Sequence, residues 1–144
     1  MMRVAPIMVL EDCDEDFATV QSAAQRAGVT NPICRATSGE HCLRLLRERV
    51  RSREPAPALL LLDLNTPGDD GRDALREIRA DQTLAALPVV VLSASANPRD
   101  LHFCYRGGAN AYHLKPVDHA AHLRVLQQIL GYWLGSVVLP AGCD

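Results

Sequence analysis

Residues 59–71 have the sequence Leu-Leu-Leu-Leu-Asp-Leu-Asn-Thr-Pro-Gly-Asp-Asp-Gly, and this stretch decides the fold. Four consecutive leucines that end at Asp63 are typical of a strand buried on both faces of a parallel sheet. Pro67, Gly68 and Gly71 then predict a loop. We therefore expect Asp63 at the carboxyl end of a central strand, the edge of an open α/β sheet where ligands bind. Taken alone, a strand-end aspartate is equally well explained as a loop acid or a helix cap.

The composition predicts one cytoplasmic domain. The chain has 144 residues and a formal net charge of −2, which gives no electrostatic case for nucleic acid as a partner. No apolar run of about 20 residues is present, so we expect no membrane partner. The five cysteines are odd in number and lack C-x-x-C spacing, which favours ordinary thiols in a reducing compartment. Pro6 interrupts a short apolar start that soon meets acidic residues, a pattern unlike a secretory signal.

Four further apolar runs predict strands that alternate with helices along the chain. The expected strands lie at residues 4–10, 32–36, 88–92 and 109–114. Helices are expected over 14–27, 39–53, 74–81 and 118–134, whereas residues 101–107 predict only a short, poorly amphipathic segment after a turn at Asn97-Pro98. This alternation predicts a five-stranded, doubly wound parallel sheet of the α/β class.

Polar residues follow four of the five predicted strands. Glu11 and Asp12 follow the first strand, Asp63 the third, Ser93 the fourth and Lys115 the fifth. Because acids gathered at one edge repel one another, this arrangement favours a hard divalent cation such as Mg²⁺, which takes oxygen ligands. A loop serine or a surface lysine is unremarkable by itself, but the whole set at one edge is specific.

Three further acids lie at the start of the first predicted helix. Asp14 is the expected N-cap, and Glu15 and Asp16 are placed to interact favourably with the helix dipole. We therefore assign these three residues to helix formation rather than to the cation site.

The set of residues at the strand ends resembles the receiver domain of bacterial two-component response regulators, a flavodoxin-like fold. The resemblance covers about residues 4–134, so we expect a receiver domain over 1–134 and an apolar C-terminal arm over 135–144. It implies that Asp63 accepts a phosphoryl group from a phosphohistidine of a sensor histidine kinase. The domain then acts as a phosphoacceptor that assists its own phosphotransfer and not as an ordinary enzyme.

The resemblance also implies a magnesium site. Asp12 and Asp63 would be direct Mg²⁺ ligands, Glu11 would act through a water, and Asn65 would offer its backbone carbonyl.

The remaining roles concern the phosphoryl group. The resemblance implies that Lys115 pairs with it, that Ser93 donates a hydrogen bond to it and that Tyr112 is the switch aromatic. It also implies a cis bond between Lys115 and Pro116.

A narrower resemblance points to the kinase partner. Residues 62–68, 88–93 and 132–135, together with the proline-ended tail, look like the small stand-alone regulators that are paired with bacterial phytochrome kinases. It implies a phytochrome-type sensor histidine kinase and a homodimer formed through the last part of the fold and the arm.

The C-terminal segment is more apolar than one helix face requires. A helix that covers a sheet needs a single apolar stripe, but the apolar residues here surround the helix and continue into the tail. We expect Leu130, Trp133, Val138 and Leu139 to form a dimer surface. Burial of this excess beneath the tail of the same chain is the alternative.

Other functions are weighed against these residues. Asp63-Leu64-Asn65-Thr66 resembles the D-x-D-x-T motif of haloacid-dehalogenase-type phosphatases, but Asn65 lacks the acid that such enzymes use as a general acid. A receiver-shaped interaction scaffold that is never phosphorylated would have no need of the complete set of acids, serine and lysine. His119 and His122 are three residues apart on a helix, but no acid or cysteine stands at matching spacing to complete a metal site.

Overall fold

The computed structural model describes residues 4–64 and 70–140 and confirms the α/β fold. All strands are parallel, and they lie in the order β2-β1-β3-β4-β5. In chain order the elements are β1 (Ile7–Leu10), α1 (Asp14–Arg26), β2 (Ile33–Ala36), α2 (Gly39–Arg51), β3 (Leu59–Asp63), α3 (Asp70–Ala80), β4 (Val89–Ser93), α4 (Pro98–Arg106), β5 (Ala111–Leu114) and α5 (His119–Gly131). Within the described ranges, no helix is long and apolar enough to cross a membrane.

The leucine run of β3 explains why helices cover both faces of the sheet. Successive side chains of a strand point to opposite faces. Leu60 and Leu62 accordingly pack with residues of α2, α3 and α4, whereas Leu59 and Leu61 pack with residues of α1 and α5. All four leucines are at most 1% exposed, so β3 is the centre of both cores.

Local sequence signals explain most helix starts. Ser38 and Asp118 cap α2 and α5 as predicted, since their side chains accept hydrogen bonds from the His41 and Ala121 amides. The prediction that Asp14 is an N-cap is wrong. Cys13 occupies that position, and the Glu11 carboxylate accepts a hydrogen bond from its amide.

Helix α4 is longer than the sequence pattern predicted. It begins directly at Pro98, with the Asn97 side chain accepting a hydrogen bond from the Arg99 amide. A capping asparagine followed by proline at the first helical position is a recognised helix start, whereas the sequence analysis predicts only a turn at this point.

The C-terminal segment is partly buried and partly exposed. α5 ends at Gly131 and continues as a π-helical turn over Tyr132–Ser136. The prediction that Leu130 belongs to a dimer surface is wrong, because its side chain is 0% exposed in the core shared with α1. Trp133 packs partly against the same core, whereas Val138 is 91% exposed.

Arg79 connects the loops at the amino edge of the sheet. Its Nε donates to the Gly108 carbonyl at 2.9 Å, and its Nη1 donates to the Ala85 and Leu87 carbonyls at 3.0 and 2.6 Å. Its Nη2 donates to Asn110 Oδ1 at 3.0 Å. Gly108 has φ +99°, and a Cβ there would lie 2.7–2.9 Å from the Arg79 side chain. Glycine is therefore required by both the backbone conformation and the close approach.

Candidate functional site

The carboxyl edge of the sheet brings the predicted polar residues together. Asp63 and Ser93 are the last residues of β3 and β4. The strand pairing continues just past the strand ends, since the Lys115 amide donates to the Ser93 carbonyl at 2.8 Å and the Glu11 amide to Ala36 at 2.9 Å. The backbone thus fixes where Glu11, Asp63, Ser93 and Lys115 leave the sheet.

The Lys115 ammonium lies among three carboxylates. Its Nζ donates to Asp63 Oδ2 at 2.7 Å, to Glu11 Oε1 at 3.5 Å and to Asp16 Oδ2. Burial lowers the pKa of Lys115, but the hydrogen bonds to Asp16 and Asp63 and the nearby negative charges outweigh burial and raise it above its ordinary value. Lys115 is therefore a fixed positive charge at this edge.

Asp63 has a strongly raised pKa at this site. Burial and a hydrogen bond with the Glu11 side chain raise its pKa to about 8, against the lowering effect of Lys115. Its Oδ1 atom is buried and has no hydrogen-bond partner among residues 4–64 and 70–140. A buried polar oxygen without a partner is costly, and such atoms are common where a ligand or ion binds.

The donor set fits a hard divalent cation. Glu11, Asp16 and Asp63 each offer a carboxylate oxygen, and these oxygens lie within 4.8 Å of one another. One ammonium cannot balance three carboxylates once all of them are ionised, and all the atoms offered are oxygens of the type that Mg²⁺ and Mn²⁺ accept. A divalent cation at this point would contact the partnerless Asp63 Oδ1 and balance the excess negative charge.

Asp16 is a site residue that the sequence analysis missed. The sequence pattern assigns it to the helix dipole, but from the first turn of α1 its carboxylate reaches Lys115 and belongs to the acidic cluster. Its position, two residues after the helix begins and close to the strand end, was the available signal. The predicted ligand Asp12 is exposed, and its carboxylate is not part of this cluster.

Arg35 on β2 is the second residue that the sequence analysis missed. Its Nε donates to the Glu11 carbonyl at 2.9 Å, and its Nη1 pairs with Asp14 Oδ1 at 2.8 Å. Its guanidinium also lies 4.9 Å from the centre of the Phe17 ring. Arg35 thereby anchors the turn between β1 and α1 that presents Glu11.

The β4–α4 loop, residues 94–97, is linked to Ser93 and Tyr112. Ser93 Oγ accepts from the Ser95 amide at 3.1 Å, and the Tyr112 hydroxyl donates to the Ser95 carbonyl at 2.8 Å. The predicted serine and aromatic therefore both contact Ser95.

The structure contradicts the predicted cis bond before Pro116 and does not test the predicted role of Asn65. The described residues contain no cis peptide bond, so the predicted cis bond between Lys115 and Pro116 is wrong. The trans isomer is the more stable one for most X–Pro bonds, and here it still directs Lys115 to Asp63. Asn65, the predicted source of a backbone ligand, lies outside the described residues.

Comparison with known proteins agrees with this geometry. The family model of the response regulator receiver domain matches residues 7–127. The chain is 33% identical over 129 residues to the probable methanogenesis regulatory protein FilR2 of Methanothrix harundinacea, a match that covers 90% of this chain and 83% of FilR2. It is 32% identical to the response regulator Rcp1 of Synechocystis over 136 residues, which are 94% of this chain and 92% of Rcp1.

Solved structures extend the comparison. The phosphorylated cyanobacterial phytochrome response regulator RcpA superposes with a TM-score of 0.86 at 32% identity, covering 96% of this chain and 99% of RcpA. The Mn²⁺-bound form of Rcp1 superposes with a TM-score of 0.85 at 31% identity, covering 94% of this chain and 99% of that one. With this fold and these residues at the carboxyl edge, the chain belongs to the family of response regulator receiver domains.

Proposed function

We propose that the protein is a phosphoryl-accepting response regulator in which Asp63 receives the phosphoryl group of a sensor histidine kinase in the presence of Mg²⁺. The observation that carries the proposal is the surroundings of Asp63. One carboxylate oxygen is paired with Lys115 at 2.7 Å, and the other is buried beside further acids and has no hydrogen-bond partner within the described part of the chain. This arrangement is costly for folding alone and suits a group that gains partners during a reaction.

The transfer itself is a single displacement at phosphorus. A carboxylate oxygen of Asp63 forms the new O–P bond, the P–N bond to the kinase histidine breaks, and the departing imidazole takes up a proton. A bound Mg²⁺ supplies the positive charge that keeps Asp63 ionised and neutralises phosphoryl oxygens. The chain assists by position and charge: Lys115 neutralises a phosphoryl oxygen, and Glu11, Asp16 and Asp12 are the proposed ligands or water-mediated partners of the cation.

The reaction is tested with a small phosphoryl donor. Purified protein is incubated with phosphoramidate and Mg²⁺, and intact-mass spectrometry and phosphate-affinity gels measure the modified fraction. We expect one phosphoryl group in the wild type and a loss of at least about 100-fold in Asp63→Asn, which removes the nucleophile.

The matched control is Asp73→Asn, an exposed aspartate on α3 that pairs with Arg76. We expect it to be phosphorylated like the wild type. Equal modification of Asp63→Asn and the wild type would refute Asp63 as the acceptor. The absence of modification in all three proteins would favour the unphosphorylated scaffold.

We infer that the kinase partner is of the phytochrome type. The inference is supported by the resemblance to RcpA, which is a phytochrome response regulator, over nearly the whole chain. The test measures the initial rate of phosphotransfer from a purified phytochrome-type histidine kinase in red and in far-red light. A kinase with an unrelated sensor serves as the comparison. Light-dependent transfer at least about tenfold faster than from that comparison is the expected result.

We also infer a homodimer formed through Trp133, Val138 and Leu139 together with the π-helical turn. The inference is supported by exposed apolar side chains on this segment, including Val138 and the 59% exposed Tyr132. Val138→Asp should convert the dimer to a monomer in sedimentation analysis. Val4→Asp, a charge placed at an exposed valine far along the chain, should not.

A further inference from the structure

A chain of polar contacts leads from Ser93 to a different helix. The Ser95 amide donates to Ser93 Oγ at 3.1 Å, and the Ser95 hydroxyl donates to Asp100 Oδ2 in the first turn of α4. The other carboxylate oxygen of Asp100 accepts from Arg72 Nη2 of α3 at 2.8 Å. The guanidinium of Arg72 lies 5.6 Å from the centre of the Phe103 ring on the surface of α4.

Ser95 is the hub of this chain. Besides its bonds to Ser93 and Asp100, its carbonyl accepts from the Tyr112 hydroxyl at 2.8 Å, and its Oγ accepts from the Asn97 amide at 3.2 Å. The β4–α4 loop is therefore fixed from β4, from β5 and from α4 at one residue. Displacement of Ser93 therefore breaks its bond with the Ser95 amide or, where Ser95 moves with it, strains the other bonds of Ser95.

We propose that Ser95, Asp100 and Arg72 form a latch that ties the β4–α4 loop to α3 and opposes movement of Ser93 toward the phosphoryl group on Asp63. The proposal rests on the proposed function, because it assigns a regulatory role at the same site. In the latched arrangement Ser93 Oγ is bound by its own loop and Asp63 is paired with Lys115. Binding of a phosphoryl group gives both residues a new common partner, and Ser93 reaches it only if the loop shifts.

The position of Arg72 explains why the latch would be effective. The side chains of Arg72 and Asp100 are only 26% and 27% exposed, so solvent screens their pairing less than it screens a surface pair. Arg72 also stacks on Phe103, which limits the directions in which its guanidinium can follow a moving loop. Asp100 is thus held in place from α3, and Ser95 is held by Asp100.

The latch also connects the phosphorylation site to an exposed surface of α3 and α4. Phe103 is exposed, and the guanidinium groups of Arg72 and Arg76 both lie near its ring. When the Ser95–Asp100 bond breaks, Asp100 is free to reorient, and Arg72 loses its fixed carboxylate partner. The α3–α4 face around Phe103 would therefore change with the phosphorylation state of Asp63.

The experiment measures the apparent dissociation constant of beryllofluoride, a phosphoryl mimic, in saturating Mg²⁺. Isothermal titration calorimetry is applied to the wild type, Ser95→Ala, Asp100→Asn, Arg72→Gln and the double variant of the last two. Because a latched state competes with the bound state, breaking the latch should tighten binding about three- to tenfold. Asp100→Asn and Arg72→Gln remove the same pair, so the double variant should bind no tighter than the better single variant.

The matched controls are Asp73→Asn and Arg76→Gln. Arg76 pairs with Asp73 at 2.7 Å and also lies over Phe103, at 5.2 Å, but this pair stays within α3 and does not touch the loop. We expect both controls to bind within twofold of the wild type. Ser95→Ala makes the smallest change in the set. It gives a second means of opening the latch if Arg72→Gln is poorly folded.

The outcomes separate the latch from the function on which it rests. If the wild type binds beryllofluoride and the latch variants match the controls, or bind more weakly, the latch is overturned and the phosphoacceptor proposal stands. If the wild type neither binds the mimic nor accepts a phosphoryl group, the proposed function fails and the latch fails with it. If the latch variants bind beryllofluoride more tightly and the two controls do not, the result supports both the latch and the phosphoacceptor proposal.

Discussion

At each edge of the sheet, oxygen atoms surround one positively charged side chain, but the charge of those oxygen atoms differs between the two edges. At the amino edge, Arg79 donates to three backbone carbonyls and to the Asn110 side chain, all of them neutral acceptors. At the carboxyl edge, Lys115 faces three carboxylates, and one oxygen of Asp63 has no partner within the described ranges. The first arrangement satisfies its hydrogen-bonding groups, whereas the second leaves negative charge in excess.

This difference indicates which edge is built for stability and which for exchange of partners. Neutral carbonyls around a guanidinium keep their hydrogen bonds at all times, so nothing is gained by a change at that edge. Carboxylates gathered around one ammonium become more stable when a divalent cation arrives, and their charges favour its binding. A fold can accept that cost at one edge because the opposite edge and the leucine-rich core offset it.

Replacement of Arg79 by alanine tests the amino edge and should have the largest effect on stability. Four hydrogen bonds from a charged donor are lost, including those to the part-buried carbonyls of Gly108 and Leu87. We expect the free energy of unfolding to fall by about 3 kcal/mol. Urea denaturation measures this change, and phosphorylation by phosphoramidate should be retained in the folded fraction.

Arg76→Ala is the control on the same helix. Arg76 is exposed, and among the described residues it pairs with Asp73, three residues away on α3, and lies over the Phe103 ring. Its loss should cost less than about 1 kcal/mol. If the two arginine variants were equally stable, Arg79 would not be the group that joins the loops at the amino edge.

Addition of Mg²⁺ tests the carboxyl edge and should have the next largest effect. A ligand that binds only the folded state adds about 2 kcal/mol to the free energy of unfolding at some 30 times its dissociation constant. Thermal denaturation with Mg²⁺ and with EDTA measures the increment. Asp63→Asn should lose most of it, because an amide nitrogen, which does not ligate a hard cation, replaces one carboxylate oxygen and the side chain can no longer ionise.

Arg79→Ala is the control that shows whether the Mg²⁺ increment comes from the carboxyl edge. The two edges lie at opposite ends of the strands, so the effects should add, and this variant should show the full Mg²⁺ increment on a lower baseline. An increment lost in Arg79→Ala but kept in Asp63→Asn would contradict the assignment of the cation to the carboxyl edge.

The sequence predicted the edge of the sheet better than it predicted the details of the site. Uninterrupted apolar runs define buried strands, and parallel strands bring their carboxyl ends together, so Asp63, Ser93 and Lys115 could be placed from the pattern alone. Asp16 could not be placed in the same way, because an acid in the first turn of a helix is also explained by the dipole. Only the position of Lys115 in three dimensions shows that Asp16 reaches the site.

The same limit explains Leu130 and Arg79. A hydrophobic count along α5 shows that there is more apolar surface than one stripe, but it does not show which side chain faces α1 and which faces outward. Arg79 follows no motif at all, since three of its four hydrogen bonds go to backbone carbonyls that any residue supplies. Interactions with the backbone across long sequence separations leave little trace in residue types, whereas charged groups at strand ends do.

The smallest predicted effect is the pH dependence contributed by His122, which lies on α5 next to the acidic site. Burial lowers its pKa from the ordinary 6.5, the charge of Lys115 lowers it further, and Asp16 and Glu11 act in the opposite direction. The folded state therefore holds the imidazole neutral, whereas the unfolded state takes up a proton as the pH falls through about 6.5. The unfolded state then binds more protons, so this residue lowers the free energy of unfolding on the acid side. Thermal denaturation from pH 7.5 to 5 in wild type and His122→Gln isolates the contribution, because Asp63 and the other acids titrate in both proteins. The wild type should lose more stability than the variant over this range, and parallel curves would show that the imidazole is protonated equally in both states.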